Sequence, residues 1–460
     1  MDGGAGSGMF GRPQVLVIGG GASGVLMAAH LLRRADVQIE VTLLERTGRP
    51  GRGIAYDTDD PDHLLNTRVA QMSAFPDAPA DFERWLQTEG RRVSGADFVD
   101  RGTYGRYLES LLAPWRSGPD ARRLTSVQAE CLRLSETAEG VSATLDDGRV
   151  LRADCAILAT GHAVPAAPPR PLRGAWDFTP PDDPMATVAI IGTGLSMVDH
   201  VATLLRGGHR GPIYCLSRRG LLPQEHAATP SSPCFPPQIP LGAPVSQTLH
   251  WLRGLVRLAE AQGGSWRDAV DAIRPRVAQI WQSWPQAERA RFLRHAASWW
   301  EVHRHRMPPA SAERIFRATA SGQLRILRGS FVAAQEQPDR RIVLAIAPRR
   351  GDSPDRLVAD HVIDCRGIRR DPARHAAPVI RDLLARGAAR LDPLGLGLDT
   401  TPAARVIDTQ GAVSARVFAI GPAARGALWE ITAVPDIREQ TSALAQTCCA
   451  QPETTLAAGE

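Results

Sequence analysis

The chain has 460 residues, 43% hydrophobic and 22% charged, with 54 Lys plus Arg against 49 Asp plus Glu and a formal net charge of +5. This is an ordinary globular balance with length for two or three domains, and it excludes disorder as the main state. The sequence contains no lysine, which removes Schiff-base chemistry and the Walker A phosphate loop, both of which need that amine. The arginines are spread among acidic residues rather than gathered into a stripe, which argues against a nucleic-acid partner. The seven cysteines, Cys131, Cys155, Cys215, Cys234, Cys365, Cys448 and Cys449, include no Cys-x-x-Cys and no metal-ligand spacing. No metal is therefore expected, and a reduced cytoplasmic setting is. Met1 to Arg12 is glycine-rich without a signal-peptide pattern, and no run reaches the roughly 18 apolar residues of a span, so no membrane partner is expected.

From Gln14 the sequence QVLVIGGGASGVLMAAHLLRR reads as strand, tight turn and helix. Gly19, Gly21 and Gly24 fit G-x-G-x-x-G, with Ala22 and Ser23 inside the motif. The first glycine makes the turn, the second lets backbone approach a pyrophosphate at the helix N-terminus, and the third lets helix and strand pack closely. The next strand, EVTLLE, ends in Glu45, followed by Arg46. It lies roughly 20 residues past the third glycine, where a carboxylate accepts ribose hydroxyls. Further on, ADCAILATGH from Ala153 to His162 reads as a strand stopping at Thr160 and Gly161.

A second beginning opens at Thr187, TVAIIGTGLSMVDHVATLL, with Gly192 and Gly194 in place, Ser196 at the turn-to-helix junction and Met197 where the third glycine would stand. The following strand, GPIYCLSRRG, ends in Ser217, Arg218 and Arg219. Arginine in place of an acid is the change expected when a 2′-phosphate must be met, so NADPH is favoured, with NADH also admitted. DHVIDCRG, Asp360 to Gly367, reads as another short strand stopping at glycine. Pro- and Gly-rich stretches at Ala163 to Arg173, Pro180 to Pro184 and Pro223 to Pro244 mark boundaries.

Residues 246 to 330 are helical in period and carry Trp251, Trp266, Trp281, Trp284, Trp299 and Trp300 of the ten tryptophans. This predicts a helical subdomain packed on its own tryptophans. A sharper reading makes it a cap over a bound cofactor, with His303, Arg304, His305 and Arg306 near an anion. His303 and His305, at i and i+2, point apart on a helix and cannot share a metal. The expected fold is α/β with two dinucleotide-binding, Rossmann-like domains, the second inserted into the first, plus the helical Trp-rich cap. In residues, 13–175 is the first part of an FAD-binding domain, 185–245 and 320–365 an NAD(P)-binding domain, 246–319 the cap, and 366–447 the return segment of the FAD-binding domain.

Two dinucleotide sites on one chain predict electrons passing from a visiting nicotinamide to a resident flavin. Without a Cys-x-x-Cys for disulfide reduction, dioxygen is the expected acceptor. The sequence also resembles the bacterial FAD/NAD(P)-binding proteins related to flavin-containing and N-hydroxylating monooxygenases, some of which are FAD-dependent urate hydroxylases. The resemblance runs over nearly the whole chain, through VIGGGASG (Val17 to Gly24), GRGIAYDT (Gly51 to Thr58), LLNTRVAQMS (Leu64 to Ser73) and RGTYGRYL (Arg101 to Leu108). It continues in ATGH, IIGTGLSMVD, SRRGLLPQEH (Ser217 to His226), VIDCRG and GALWEITAVPDIREQ (Gly426 to Gln440).

That resemblance implies an FAD held by Gly19, Gly21, Gly24 and Glu45, with Leu65, Asn66 and Thr67 near the isoalloxazine ring and Gly421 to Glu430 closing the site. Many such proteins have Gly-Asp at the return, whereas this chain has Gly421-Pro422, which shifts the expected ribityl contact to backbone or Trp429. The Baeyer–Villiger fingerprint is missing around Gly161 to Pro169. The expected activity is hydroxylation through a C4a-hydroperoxyflavin of a small, electron-rich anion, urate to 5-hydroxyisourate first. Asn66 is a candidate active-site residue beside the flavin, and Arg304 or Arg306, or Arg101 beside Tyr104, are candidates to hold the anion bidentately. The alternative is N-hydroxylation of an amine or amino acid, with Glu301 or Glu430 meeting the ammonium; a further one is a non-catalytic flavin-bound redox sensor.

Overall fold

The computed structural model describes residues 12–164, 168–227, 238–348, 354–367 and 371–448. Residues 1–11, 165–167 and 228–237 of the expected N-terminus and linkers lie outside the described residues, as do Cys234 and Cys449. The first unit runs β1 (Gln14–Ile18), α1 (Ala22–Leu32), β2 (Glu40–Leu44), α2 (Gly53–Tyr56), α3 (Asp81–Thr88), α4 (Arg101–Ser110) and β3 (Leu124–Val127). An antiparallel meander, β4 (Cys131–Glu136), β5 (Val141–Leu145) and β6 (Val150–Ala153), leads into β7 (Cys155–Leu158). Every α1 residue from Ser23 to Leu32 is buried, as its nearly continuous apolar sequence requires of a helix covered on all sides.

The second unit follows with β8 (Arg173–Gly174), β9 (Val188–Ile191), α5 (Leu195–Arg206) and β10 (Ile213–Ser217). Helices α6 (Val245–Ala261), α7 (Trp266–Ile273), α8 (Val277–Ser283), α9 (Gln286–His295), α10 (Ala297–Arg304) and α11 (Pro309–Ala320) separate β10 from β11 (Leu324–Glu336). Then come β12 (Ile342–Pro348), β13 (Arg356–Ala359) and β14 (His361–Asp364). The chain returns through α12 (Pro372–His375) and α13 (Pro378–Ala385) to β15 (Arg405–Ile407), β16 (Val413–Ala419) and α14 (Val434–Thr447).

Strand order shows the insertion directly. One six-stranded sheet reads β15-β16-β7-β1-β2-β3, joining strands from both ends of the chain, while β8 to β14 form a separate seven-stranded sheet, β13-β12-β11-β10-β9-β14-β8. In each sheet the strand before the glycine turn, β1 or β9, lies between two parallel neighbours, the switch point at which open α/β sheets hold ligands. Helix α14 packs along α1, so the last helix closes over the first. Cys448 is buried in this contact.

Helix α11 belongs to the sheet rather than to the cap: Ala312, Ile315 and Ala318 share a core with Val198, Val201 and Leu204 of α5. The cap proper is α6 to α10. Its tryptophans divide, since Trp281 and Trp284 are buried with Phe292 whereas Trp299 is 52% exposed. The cap's core also includes Trp429 of the return segment, so it buries apolar surface against the first unit as well as within itself. No helix among the described residues is long and apolar enough to cross a membrane.

Candidate active site

The first glycine turn has the geometry its sequence requires. Gly19 adopts φ +107, and a Cβ there would stand 2.5 Å from the Ala159 carbonyl oxygen. A Cβ on Gly24 would stand 1.8 Å from the Gly19 oxygen, so helix and strand approach as only glycine permits. Gly21 caps α1 without a side-chain hydrogen bond, leaving first-turn N–H groups and the positive end of the helix for an anion. The N-terminal end of α2 converges on the same point, since a Cβ on Gly53 would lie 3.3 Å from Gly21 Cα. Glu45 Oε2 accepts the Gly20 N–H at 2.9 Å, and its Oε1 accepts from Thr47 N and Oγ1 at 2.9 Å. The carboxylate is held in place with lone pairs left for ribose hydroxyls. Arg46 points to solvent, its side chain 65% exposed. Uncapped donors, a side-chain-free approach and an anchored acid fit the adenine, ribose and pyrophosphate of FAD.

The second turn repeats the geometry. Gly192 adopts φ +118, with a Cβ there 2.4 Å from the Cys365 oxygen, and Gly194 caps α5 without a side-chain hydrogen bond. Met197 is fully buried where a third glycine would stand. At the end of β10, Ser217 Oγ accepts the Gly220 N–H and the Thr193 hydroxyl. Arg219 donates to the Arg294 and His295 carbonyls, so its charge lies on the C-terminal end of α9, where a cation is favoured. Arg218 remains exposed.

The two units meet beside the Leu65–Thr67 stretch. Leu65 and Thr67 are buried, and the Asn66 carbonyl accepts from His226 Nε2 at 3.0 Å. Arg68 donates to the Ala227 carbonyl at 2.6 Å. Burial lowers the His226 pKa to about 4, so the ring is neutral at physiological pH with its proton on Nε2. His63 also bridges the units, joining Thr58 Oγ1 at 2.8 Å and Thr203 Oγ1 at 2.9 Å. His226 and Arg68 were missed as site residues although both stand in motifs that carry the resemblance. The missing signal was spatial, because the two are more than a hundred residues apart in the chain.

Several charges offered to a substrate by sequence are met by one another. Arg304, 6% exposed, lies 3.1 Å from Glu430 and 3.8 Å from Asp436, and Arg306, 4% exposed, pairs with Asp271. Glu430 also accepts Trp300 Nε1 at 2.6 Å. Burial opposes its charge, but Arg304, His305 and Trp300 more than offset this, and its pKa is lowered. Glu301 lies 3.3 Å from His305 and 3.4 Å from Arg425. These charges therefore face one another as ion pairs, while Arg304 Nε and Nη2, Arg306 Nε and Glu430 Oε2 are buried without a hydrogen-bond partner.

Arg101 pairs with Asp199 of α5, tying α4 to the second unit. Tyr104 is corrected from candidate to core residue: it is fully buried, its hydroxyl donates to the Met72 carbonyl at 3.0 Å, and Tyr56, Phe82 and Tyr107 surround its ring. Trp429, offered as a ribityl contact, stacks on Trp281 at 5.1 Å and carries the Arg425 guanidinium 4.2 Å from its ring centre. Its ring joins cap to return segment, and only its buried indole N–H lacks a partner. Thr160 and Gly161, with Gly161 at φ +71, follow β7 beside the first turn, and Ser196 lies in the first turn of α5.

The family described as FAD-NAD(P)-binding matches residues 16–163, so the first turn belongs to an FAD/NAD(P)-binding domain. No curated protein matches the chain in sequence. Among solved structures, the fold is similar to that of the ornithine hydroxylase of Pseudomonas aeruginosa in its reduced form, with TM-score 0.62 and 17% identity over 95% of this chain and 99% of that one. The ornithine N-hydroxylase of Kutzneria sp. 744, solved with reduced FAD, NADP+ and L-ornithine, gives 0.63 and 14% over 95% and 99%. The FAD-bound cadaverine monooxygenase of Erwinia amylovora gives 0.66 and 12% over 96% and 95%. What is shared is the α/β fold, over nearly the whole of each chain.

Proposed function

We propose that this chain is a flavin-dependent monooxygenase that uses electrons from NAD(P)H to reduce dioxygen, placing one oxygen atom on a small substrate and releasing the other as water, and that the atom hydroxylated is an amine nitrogen. The observation that carries the reading is the pair of uncapped glycine turns on switch-point strands of two docked sheets, in a fold shared end to end with N-hydroxylases. FAD, when bound, supplies hydride acceptance and oxygen activation. The chain's own residues bind and exclude. Glu45 and the α1 N-terminus hold the dinucleotide, and Gly192 to Ser196 receive the nicotinamide cofactor. Arg218 meets a 2′-phosphate, which makes NADPH the preferred donor. The Trp281–Trp429 stack keeps water from the cap side. Asn66, with its carbonyl fixed by neutral His226, lines the substrate side. Because Glu301 and Glu430 are already paired, the site favours an amine arriving as its free base, the form with a nucleophilic lone pair. The cytoplasm, where NADPH and reduced thiols coexist, is the proposed setting.

Hydroxylation of an anionic ring such as urate is the second reading, and one observation favours it. Arg68, Arg267 and Arg306 crowd together near His226, and burial together with Arg306 lowers the pKa of the other two. One experiment separates the readings: NADPH and NADH oxidation by the flavin-loaded protein, followed with ornithine, lysine, cadaverine and urate in turn. Hydroxylamine formation in step with NADPH loss supports the amine. Urate loss in step with NADPH transfers the assignment to the ring. Hydrogen peroxide as sole product with every substrate sinks both.

A further inference from the structure

Helix α14 places Gln440 against Gly421, and the carboxamide oxygen of Gln440 accepts the Gly421 N–H at 2.8 Å. That bond decides which end of the amide faces Gly421, so the Nε2 donors point away from it. Nε2 is buried without a hydrogen-bond partner. Gly421 itself lies against the first turn of α1: its φ is +60, and a Cβ there would stand 2.4 Å from Ser23 Oγ. Gln440, bonded to Gly421, thus belongs to the contact between α14 and the first turn of α1, and its amide donors are buried there unmet. The next residue, Pro422, has neither an N–H nor a polar side chain to offer at this point. A buried donor left unmet is costly, and one met by an oxygen acceptor is not.

We infer that Gln440 holds the cofactor: its Nε2 donates to an oxygen of the diphosphate–ribityl segment of FAD while its Oε1 braces Gly421. The inference rests on FAD occupying the first turn. It gives this chain a polar contact in the region where related proteins place the aspartate of Gly-Asp, contributed from the last helix instead.

The test is FAD titration of the flavin-stripped full chain, followed by flavin fluorescence, with ADP as a second probe. Gln440→Glu keeps an acceptor for the Gly421 N–H but replaces the donor with a negative charge. Its flavin-free form should melt like wild type, while its Kd for FAD rises about tenfold or more. Gln440→Met, uncharged and of similar volume, should also weaken FAD about tenfold. A parallel loss of ADP affinity assigns the acceptor to the diphosphate, and unchanged ADP affinity assigns it to the ribityl chain. Wild-type FAD affinity in both variants overturns the inference, as does full retention by Gln440→Glu with loss confined to Gln440→Met, which would leave Gln440 a brace only. Failure of the wild-type chain itself to bind FAD would instead remove the flavin reading.

Discussion

At the first glycine turn, the third motif position leaves 1.8 Å between a hypothetical Gly24 Cβ and the Gly19 oxygen, whereas at the second turn that position holds a fully buried Met197. At the strand ends the difference is chemical: Glu45 is anchored by Gly20 and Thr47, while β10 leads to Ser217, Arg218 and Arg219. Both turns present uncapped helix N-termini to a pyrophosphate. The comparison teaches that the two turns offer the same backbone donors and differ in how closely the helix approaches and in the residues beyond the next strand.

The largest effect should come from forcing the close approach apart. Gly24→Val places a branched side chain where no Cβ fits, so flavin content should fall by an order of magnitude or more, with reduced soluble yield. Met197→Gly, its counterpart, removes a buried side chain without introducing a clash. It should cost about 2 to 5 kcal/mol of stability in urea unfolding while the KM for nicotinamide stays within a few-fold. Equal flavin loss in the two variants would erase the distinction between the turns.

The helices after both turns carry buried histidines, His30 on α1 and His200 on α5, each lowered by burial to a pKa of about 4. In the unfolded chain they titrate near 6.5, so between about 6.5 and about 4 the unfolded state binds more protons and stability falls as the pH drops. Each histidine contributes about 1.4 kcal/mol per pH unit across that window. Replacing either by glutamine should flatten the acid limb of the stability curve by a similar slope. An unchanged limb in one variant would show that only the other unit limits acid stability.

The smallest effect sharpens the chemistry beyond the strands. Arg218→Ala should raise the KM for NADPH about tenfold and leave that for NADH unchanged. An equal rise for both would move Arg218 from the 2′-phosphate to the shared diphosphate.

Much of the fold was legible because its signals are local. Strand, glycine turn and helix follow one another within single segments, and the steric demands at Gly19, Gly24 and Gly192 are those the motif states. The insertion of one unit in the other was legible from the two beginnings and the late return. The cap's relation to the rest was less so, because tryptophan spacing shows a helix period but not which surface the rings meet. Trp429, over a hundred residues from Trp281, completes that cluster. The charged candidates were the least legible. Arg304, Arg306, Glu301 and Glu430 each read as available to substrate, and each is answered by an opposite charge brought from elsewhere in the chain.

By itself the sequence determined two strand–glycine turn–helix units, the absence of lysine and of a Cys-x-x-Cys, and the acid at one strand end against arginines at the other. These are properties of backbone geometry and residue type within short segments. Only the tertiary structure decided which charges are spent on each other, that Tyr104 is core, that His226 and Asn66 meet across the units, and that Gln440 lies beneath Gly421. A charge or an amide is available only if no distant partner has already satisfied it, and that depends on folding in three dimensions.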